Sequence, residues 1–140
     1  MTGALVETAD AWELPLVGLT VSQLQIDYAF ALVLAGSPGG SFSCQVECPF
    51  VLVRPGRGEE RIEPAADPAG LGPALAVLRR DVTRATAARS GELEIVLSEE
   101  MTLRVPPSDD YEAWNVVGPH GLRVVCMPGG ELAIRKPRIE

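Results

Sequence analysis

The chain has 140 residues, 46% of them hydrophobic and 22% charged, with a formal net charge of −7. That size and mix suit one globular domain with its own core, and they exclude a disordered tail. The acidic balance and scattered arginines argue against nucleic-acid binding, which needs clustered positive charge to displace phosphate counterions.

The longest apolar run, residues 28–36, falls well short of a bilayer span, and no basic stretch precedes an apolar core at the N-terminus. Neither a membrane nor a nucleic-acid partner is expected, and a cytoplasmic location is. Three cysteines do not make a disulfide framework. The basic residues are eleven arginines and the single Lys136. With so much Ala, Gly and Pro, that bias reads as genome composition and not as selection for phosphate. The only basic cluster is "RKPR", residues 135–138.

In chain order, residues 1–15 carry three carboxylates and Trp12, and are expected to form a short helix or an arm laid against the body. Residues 16–140 are expected to be a single β-rich domain. From Leu24 the sequence alternates strictly: Leu24, Ile26, Tyr28, Phe30, Leu32 and Leu34 are bulky, and the residues between are polar or small. Period 2 marks a half-buried strand. Residues 24–34 make either one long strand or a hairpin that turns near Asp27 and Tyr28.

"SPGGS" (residues 37–41) is a turn, "FSCQVEC" and "PFVLV" are strands, and "RPGRGEE" is a polar loop. A helix is expected near residues 68–80, with apolar positions Leu71, Leu75 and Leu78. It begins after an Asp67 N-cap with Pro68 in its first turn, or at Pro73. Strands follow in "VTRATAAR", "ELEIVLS", "MTLRVPP", "YEAWNVV", "LRVVCM" and "ELAIR", separated by the turns "SG", "EE", "GPHG" and "PGG".

The two halves echo each other. Val21, Leu32 and Leu34 match Val82, Leu93 and Ile95 at an offset of 61, and Val46 and Pro49 match Leu103 and Pro106 at 57. The expected fold is α+β: a mostly antiparallel sheet or small sandwich, built as two degenerate three-stranded meanders joined by one helix.

Chemistry-bearing residues are few. Cys44, Cys48, His120 and Cys126 are the ligand types of a zinc site. In a strand, however, C-x3-C separates the two α-carbons by about 13 Å, and "QVE" gives no turn. Cys126 with His120 would make a thiol nucleophile only beside a cation or a helix N-terminus, and neither is evident. The carboxylate pairs Glu99–Glu100 and Asp109–Asp110 sit in turn-like sequence. No phosphate-loop, dinucleotide, zinc-protease or nucleophile-elbow motif is present. No catalytic residue, cofactor or metal ligand is assigned, and the chain is expected not to be an enzyme.

Asp109, Asp110, Tyr111, Glu112 and Trp114 concentrate carboxylates around two aromatics. Exposed, they would anchor a basic protein partner. Buried, the aromatics would simply fill the core.

The stretch "PPSDDYEAWNVVGPHGLRVVCMPGGELAI" resembles the C-terminal signature of small uncharacterised actinobacterial proteins. In these a Pro-rich step precedes Tyr-Glu-Ala-Trp, a Gly turn, an apolar strand and a Gly-Gly turn. The upstream "CPF" strand pair extends the resemblance over most of residues 16–135. That family implies no established activity. In general character the chain is also similar to immunity proteins of bacterial toxin systems, which are small, acidic and rich in antiparallel sheet; this implies a basic toxin as partner.

The resulting expectation is a non-enzymatic, immunity-like or regulatory protein-binding module. The alternatives are a small-molecule-binding β domain with a pocket between sheet and helix, and a hydrolase using His120 and Cys126. A homodimer through an unpaired edge strand is a further expectation.

Overall fold

A computed structural model describes residues 4–36 and 40–138. Residues 1–3 of the expected arm and 37–39 of the "SPGGS" turn lie outside the described residues. The chain runs through β1 (Val6–Glu7), β2 (Ala11–Glu13), β3 (Thr20–Ile26), β4 (Phe30–Ala35), β5 (Phe42–Val46), β6 (Phe50–Arg54) and β7 (Gly58–Ile62). After a 3-10 helix (Pro68–Val77) come β8 (Val82–Ala88), β9 (Leu93–Leu97), β10 (Met101–Val105), β11 (Trp114–Val117), β12 (Arg123–Cys126) and β13 (Leu132–Arg135).

The alternation over residues 24–34 resolves as a hairpin. The Asp27 carboxylate accepts the Ala29 N–H at 2.7 Å, a local turn that ends β3 and starts β4. Residues 4–15 contain no helix: β1 and β2 form a small hairpin, and β2 pairs with β8, which makes both strands part of a sheet of the domain.

Two antiparallel sheets result. The first has the order β1-β2-β8-β9-β10-β6-β7, the second β13-β12-β11-β5-β4-β3. The two meanders are both present, β3-β4-β5 in the second sheet and β8-β9-β10 in the first. Each sends its next strand across to the other sheet, so that β6 pairs with β10 and β11 with β5.

The halves meet in a near-symmetric contact. The Val21 N–H donates to the Arg80 carbonyl and the Val82 N–H to the Leu19 carbonyl, each at 2.8 Å. Between them the Thr20 hydroxyl donates to Asp81 at 2.6 Å. These pairs repeat the offset of 61, and both meanders carry a register shift at the same place, Val21/Gln23 and Val82/Arg84.

Further along, the expected equivalences slip. Leu34 faces Val21 and Leu97 faces Val82, so Leu34 corresponds to Leu97, Leu32 to Ile95 and Val46 to Val105. The sequence pairing was two residues out in each strand. A shift of two keeps every side chain on its face, so alternation cannot detect it.

The inner faces close over one core. Phe30 from the second sheet meets Phe50 from the first, with centroids 5.5 Å apart, among Leu32, Leu52, Ile95 and Leu103. The helix carries a correction. Asp67 caps it as expected, accepting the Ala69 N–H at 3.0 Å, but it is a 3-10 helix. Its buried residues are Leu71, Ala74 and Val77, a spacing of three that suits three residues per turn. Leu75, expected to face inward on an α-helical period, is 49% exposed. Pro73 removes an N–H from the middle of the segment and opposes α-helical bonding.

One end of the sandwich is sealed by two turns in direct contact. Gly91, between β8 and β9, has φ +99, and a Cβ there would lie 2.6 Å from the Gly130 backbone. Gly130, between β12 and β13, has φ +98, and its Cβ would come within 2.2 Å of the Ser90 carbonyl oxygen. Neighbouring Gly129, at φ +87, has nothing near it. Gly130→Ala is therefore expected to lose about 3 kcal/mol or more, from left-handed strain plus collision, and Gly129→Ala only about 1–2 kcal/mol. Urea unfolding of the two variants beside wild type checks the ranking.

Candidate functional site

Trp114 opens β11 and its side chain enters the sandwich, where it is fully buried. Its indole N–H donates to the Gly91 carbonyl at 2.9 Å, satisfying the polar tip of the largest core side chain. Trp114 therefore presents no surface to a partner, a correction to its place in the sequence-derived set. Ala113 is buried with it, whereas Tyr111 remains 44% exposed and Glu112 is exposed. Residues 111–113 precede the strand, which begins at Trp114 and not at Tyr111 as the expected strand "YEAWNVV" has it.

Tyr111 and Glu112 form one wall of an open surface cleft of about 840 Å³. The opposite wall is the β3–β4 turn with Asp27 and Tyr28, the floor includes Gln45 and Glu47, and Met127 and Pro128 close the side. Tyr28 is 84% exposed at the rim. The cleft thus has three carboxylates, two tyrosine rings and no basic side chain among its lining residues.

Tyr111 is also shared by two smaller hollows. One, of about 330 Å³, includes Pro49, Glu63 and Pro64; the other, of about 210 Å³, includes Cys48, Arg61 and Pro107. Among the described residues, Arg61 is the one cation lining these hollows, and it lies 3.8 Å from Glu63. Asp109 and Asp110 are exposed but line none of the three. Of the sequence-derived residues, Tyr111 and Glu112 line the cleft; Tyr28 and Glu47 are not among that set, and Asp27 reads in sequence as a turn residue with a functional role only as a lesser alternative. The pairing of β4 with β5 brings that turn beside Glu47.

The helix lines none of these hollows, and the space between the sheets is filled by the core side chains. Among the described residues, no group of three or more His, Cys, Asp or Glu side chains is placed to hold a metal ion. His120 is an exposed turn residue at φ +62, and its carbonyl accepts the Arg138 N–H at 2.7 Å.

All three cysteines are free and buried. Burial pushes the Cys44 thiol up from 9.0 to about 12. The Cys48 thiol rises to about 11, mainly through burial and also through the proximity of Cys126. Burial likewise raises Cys126, opposed by a backbone hydrogen bond at Ala113. At neutral pH these thiols are protonated, the opposite of an activated nucleophile.

A raised thiol pKa in the folded state means that its contribution to stability is intact below the unfolded value. It is lost as pH climbs from 9.0 toward about 12 for Cys44. Stability is expected to be flat in Cys44 ionisation at neutral pH, then to fall by up to about 1.4 kcal/mol per pH unit for this thiol. Chemical denaturation at stepped alkaline pH measures the slope, and Cys44→Val should make it shallower by this thiol's share while that of Cys48 remains.

A family model described as "Family of unknown function (DUF6188)" matches residues 12–136, and the chain belongs to that family. No curated protein and no solved structure matches it. Among the described residues, no helix is long and apolar enough to cross a membrane.

Proposed function

We propose that this DUF6188 member is a non-enzymatic protein-binding module, whose acidic, tyrosine-walled cleft takes a basic segment of a partner protein. The observation that carries this reading is the cleft itself: Asp27, Glu47 and Glu112 converge with Tyr28 and Tyr111, and no cation lines it. An arginine or lysine entering there gains carboxylates for its charge and ring faces for cation–π contact. The formal net charge of −7 adds long-range attraction that speeds encounter with a basic surface.

An immunity-like or regulatory role in the cytoplasm, with a basic toxin as partner, fits this chemistry and the general resemblance to toxin-immunity proteins. The actinobacterial, Tyr-Glu-Ala-Trp signature family belongs to the same proposal. A small-molecule domain with its pocket between sheet and helix finds less support, because the cleft lies at the surface and the helix does not line it.

An arginine-rich peptide titrated by fluorescence anisotropy at two salt concentrations tests the reading. Tyr111→Ala is expected to weaken binding at least about tenfold, as for an interface anchor. Glu47→Gln with Glu112→Gln should weaken it further and flatten its salt dependence. Trp114→Phe should leave affinity unchanged while lowering stability. Equal binding by wild type and the cleft variants would remove the proposal.

A further inference from the structure

The outer faces of the two sheets differ sharply in charge. On the first sheet, cross-strand register places Glu13, Arg61, Glu94 and Arg104 in one row and Glu59 and Arg84 in the next. On the second sheet the central row is Gln25, Ala31, Gln45, Asn115, Val125 and Ala133. The following row begins Gln23, Val33, Ser43 and Val117. Among the described residues, ten cross-strand positions of this face on an acidic chain carry no charge, eight of them at least partly exposed and two, Ala31 and Val125, buried beneath their neighbours.

Charge returns only at the ends of this face. Arg123 and Arg135, paired across β12 and β13, complete the second row at one corner. At the opposite end of the strands lie Asp27, Glu47, Glu112 and Glu131, all exposed. A trough of about 510 Å³, lined in part by Gln23, Val33, Phe42, Val117 and Pro119, gives the face relief.

We propose that this face is a homodimer interface: a second copy of the chain lays its own outer face against it, with strands running in opposite directions. A twofold axis in the interface, perpendicular to the strands, sets the Arg123–Arg135 corner of each copy over the Glu112–Glu131 end of the other. The neutral rows then meet each other. Two copies carrying −7 each repel wherever their acidic surfaces approach; here uncharged amides and methyls meet, and the flanking charges are complementary. Six strands spaced about 4.8 Å apart and averaging five residues, about 16 Å, offer roughly 480 Å² per copy, or about 1,000 Å² in total, a small interface that depends on its flanking charge pairs.

This pairing uses a sheet face and not an edge strand. It stands apart from the cleft reading, and either can fail alone. The two compete for the acidic end, so a basic partner in the cleft would displace the second copy.

Sedimentation equilibrium over micromolar concentrations is the test, with circular dichroism to confirm the fold of each variant. Wild type should be a dimer. Asn115→Asp with Val117→Glu places four charges in the dimer centre and should raise the dissociation constant at least about tenfold. It should bind the arginine-rich peptide no more weakly than wild type, because neither residue lines the cleft. Arg135→Glu and Glu131→Arg should each weaken the dimer, and the two together in one chain should restore most of it. That recovery comes only from contact between copies, since the two residues lie about 13 Å apart along one strand. A monomeric wild type, or a dimer indifferent to these substitutions, overturns the proposal.

Discussion

The indole of Trp114 joins the two sheets, and much else follows from where it sits. Its ring lies in the core of the second sheet's inner face, while its N–H reaches the Gly91 carbonyl in a turn of the first sheet. That turn can approach only because Gly91 and Gly130 lack side chains. A buried indole without a partner for its N–H would be destabilised by about 1–3 kcal/mol. The hydrogen bond, the glycine contact and the ring's burial are thus one constraint, and it fixes how the sandwich closes at this end.

The same constraint shapes the surface. With Ala113 and Trp114 drawn inward, the preceding residues emerge at the lip of the core, so that Tyr111 and Glu112 face outward. The backbone of Glu47 bonds to the Ala113 carbonyl at 2.8 Å and extends the β5–β11 ladder to the cleft floor. An acidic cleft at the end of a sheet is therefore a product of the crossing strands. Charge that would be ruinous between the sheets is tolerated where water reaches it.

Much of the fold was legible because alternation reports the buried face directly. Strands, hairpin turns and the two meanders could be read from residues such as Leu32, Leu34, Leu93 and Ile95. Register could not, because moving Leu34 from Ile95 to Leu97 leaves every face unchanged. The helix was seen through Asp67 and Pro68, yet its period was misread: Leu71, Ala74 and Val77 repeat every three residues, and Pro73 favours that winding. Two of the five acidic and tyrosine residues of the cleft, Tyr111 and Glu112, stand out in the sequence, since "DDYEAW" concentrates rare types. Asp27, Tyr28 and Glu47 do not, because their approach to Tyr111 depends on pairing between strands distant in sequence. Nothing local distinguishes an inward Trp114 from an outward one, and the partner of its N–H is a backbone carbonyl 23 residues away.

The central claim is that a basic segment enters the cleft between the β3–β4 turn and Tyr111. Backbone amide chemical-shift mapping during titration with an arginine-rich peptide tests it most directly. The account predicts concentrated shifts at Asp27, Tyr28, Ala29, Gln45, Glu47, Tyr111, Glu112 and Met127, with the outer face of the first sheet unmoved. Shifts spread evenly over the acidic surface, or centred away from this cleft, would contradict it.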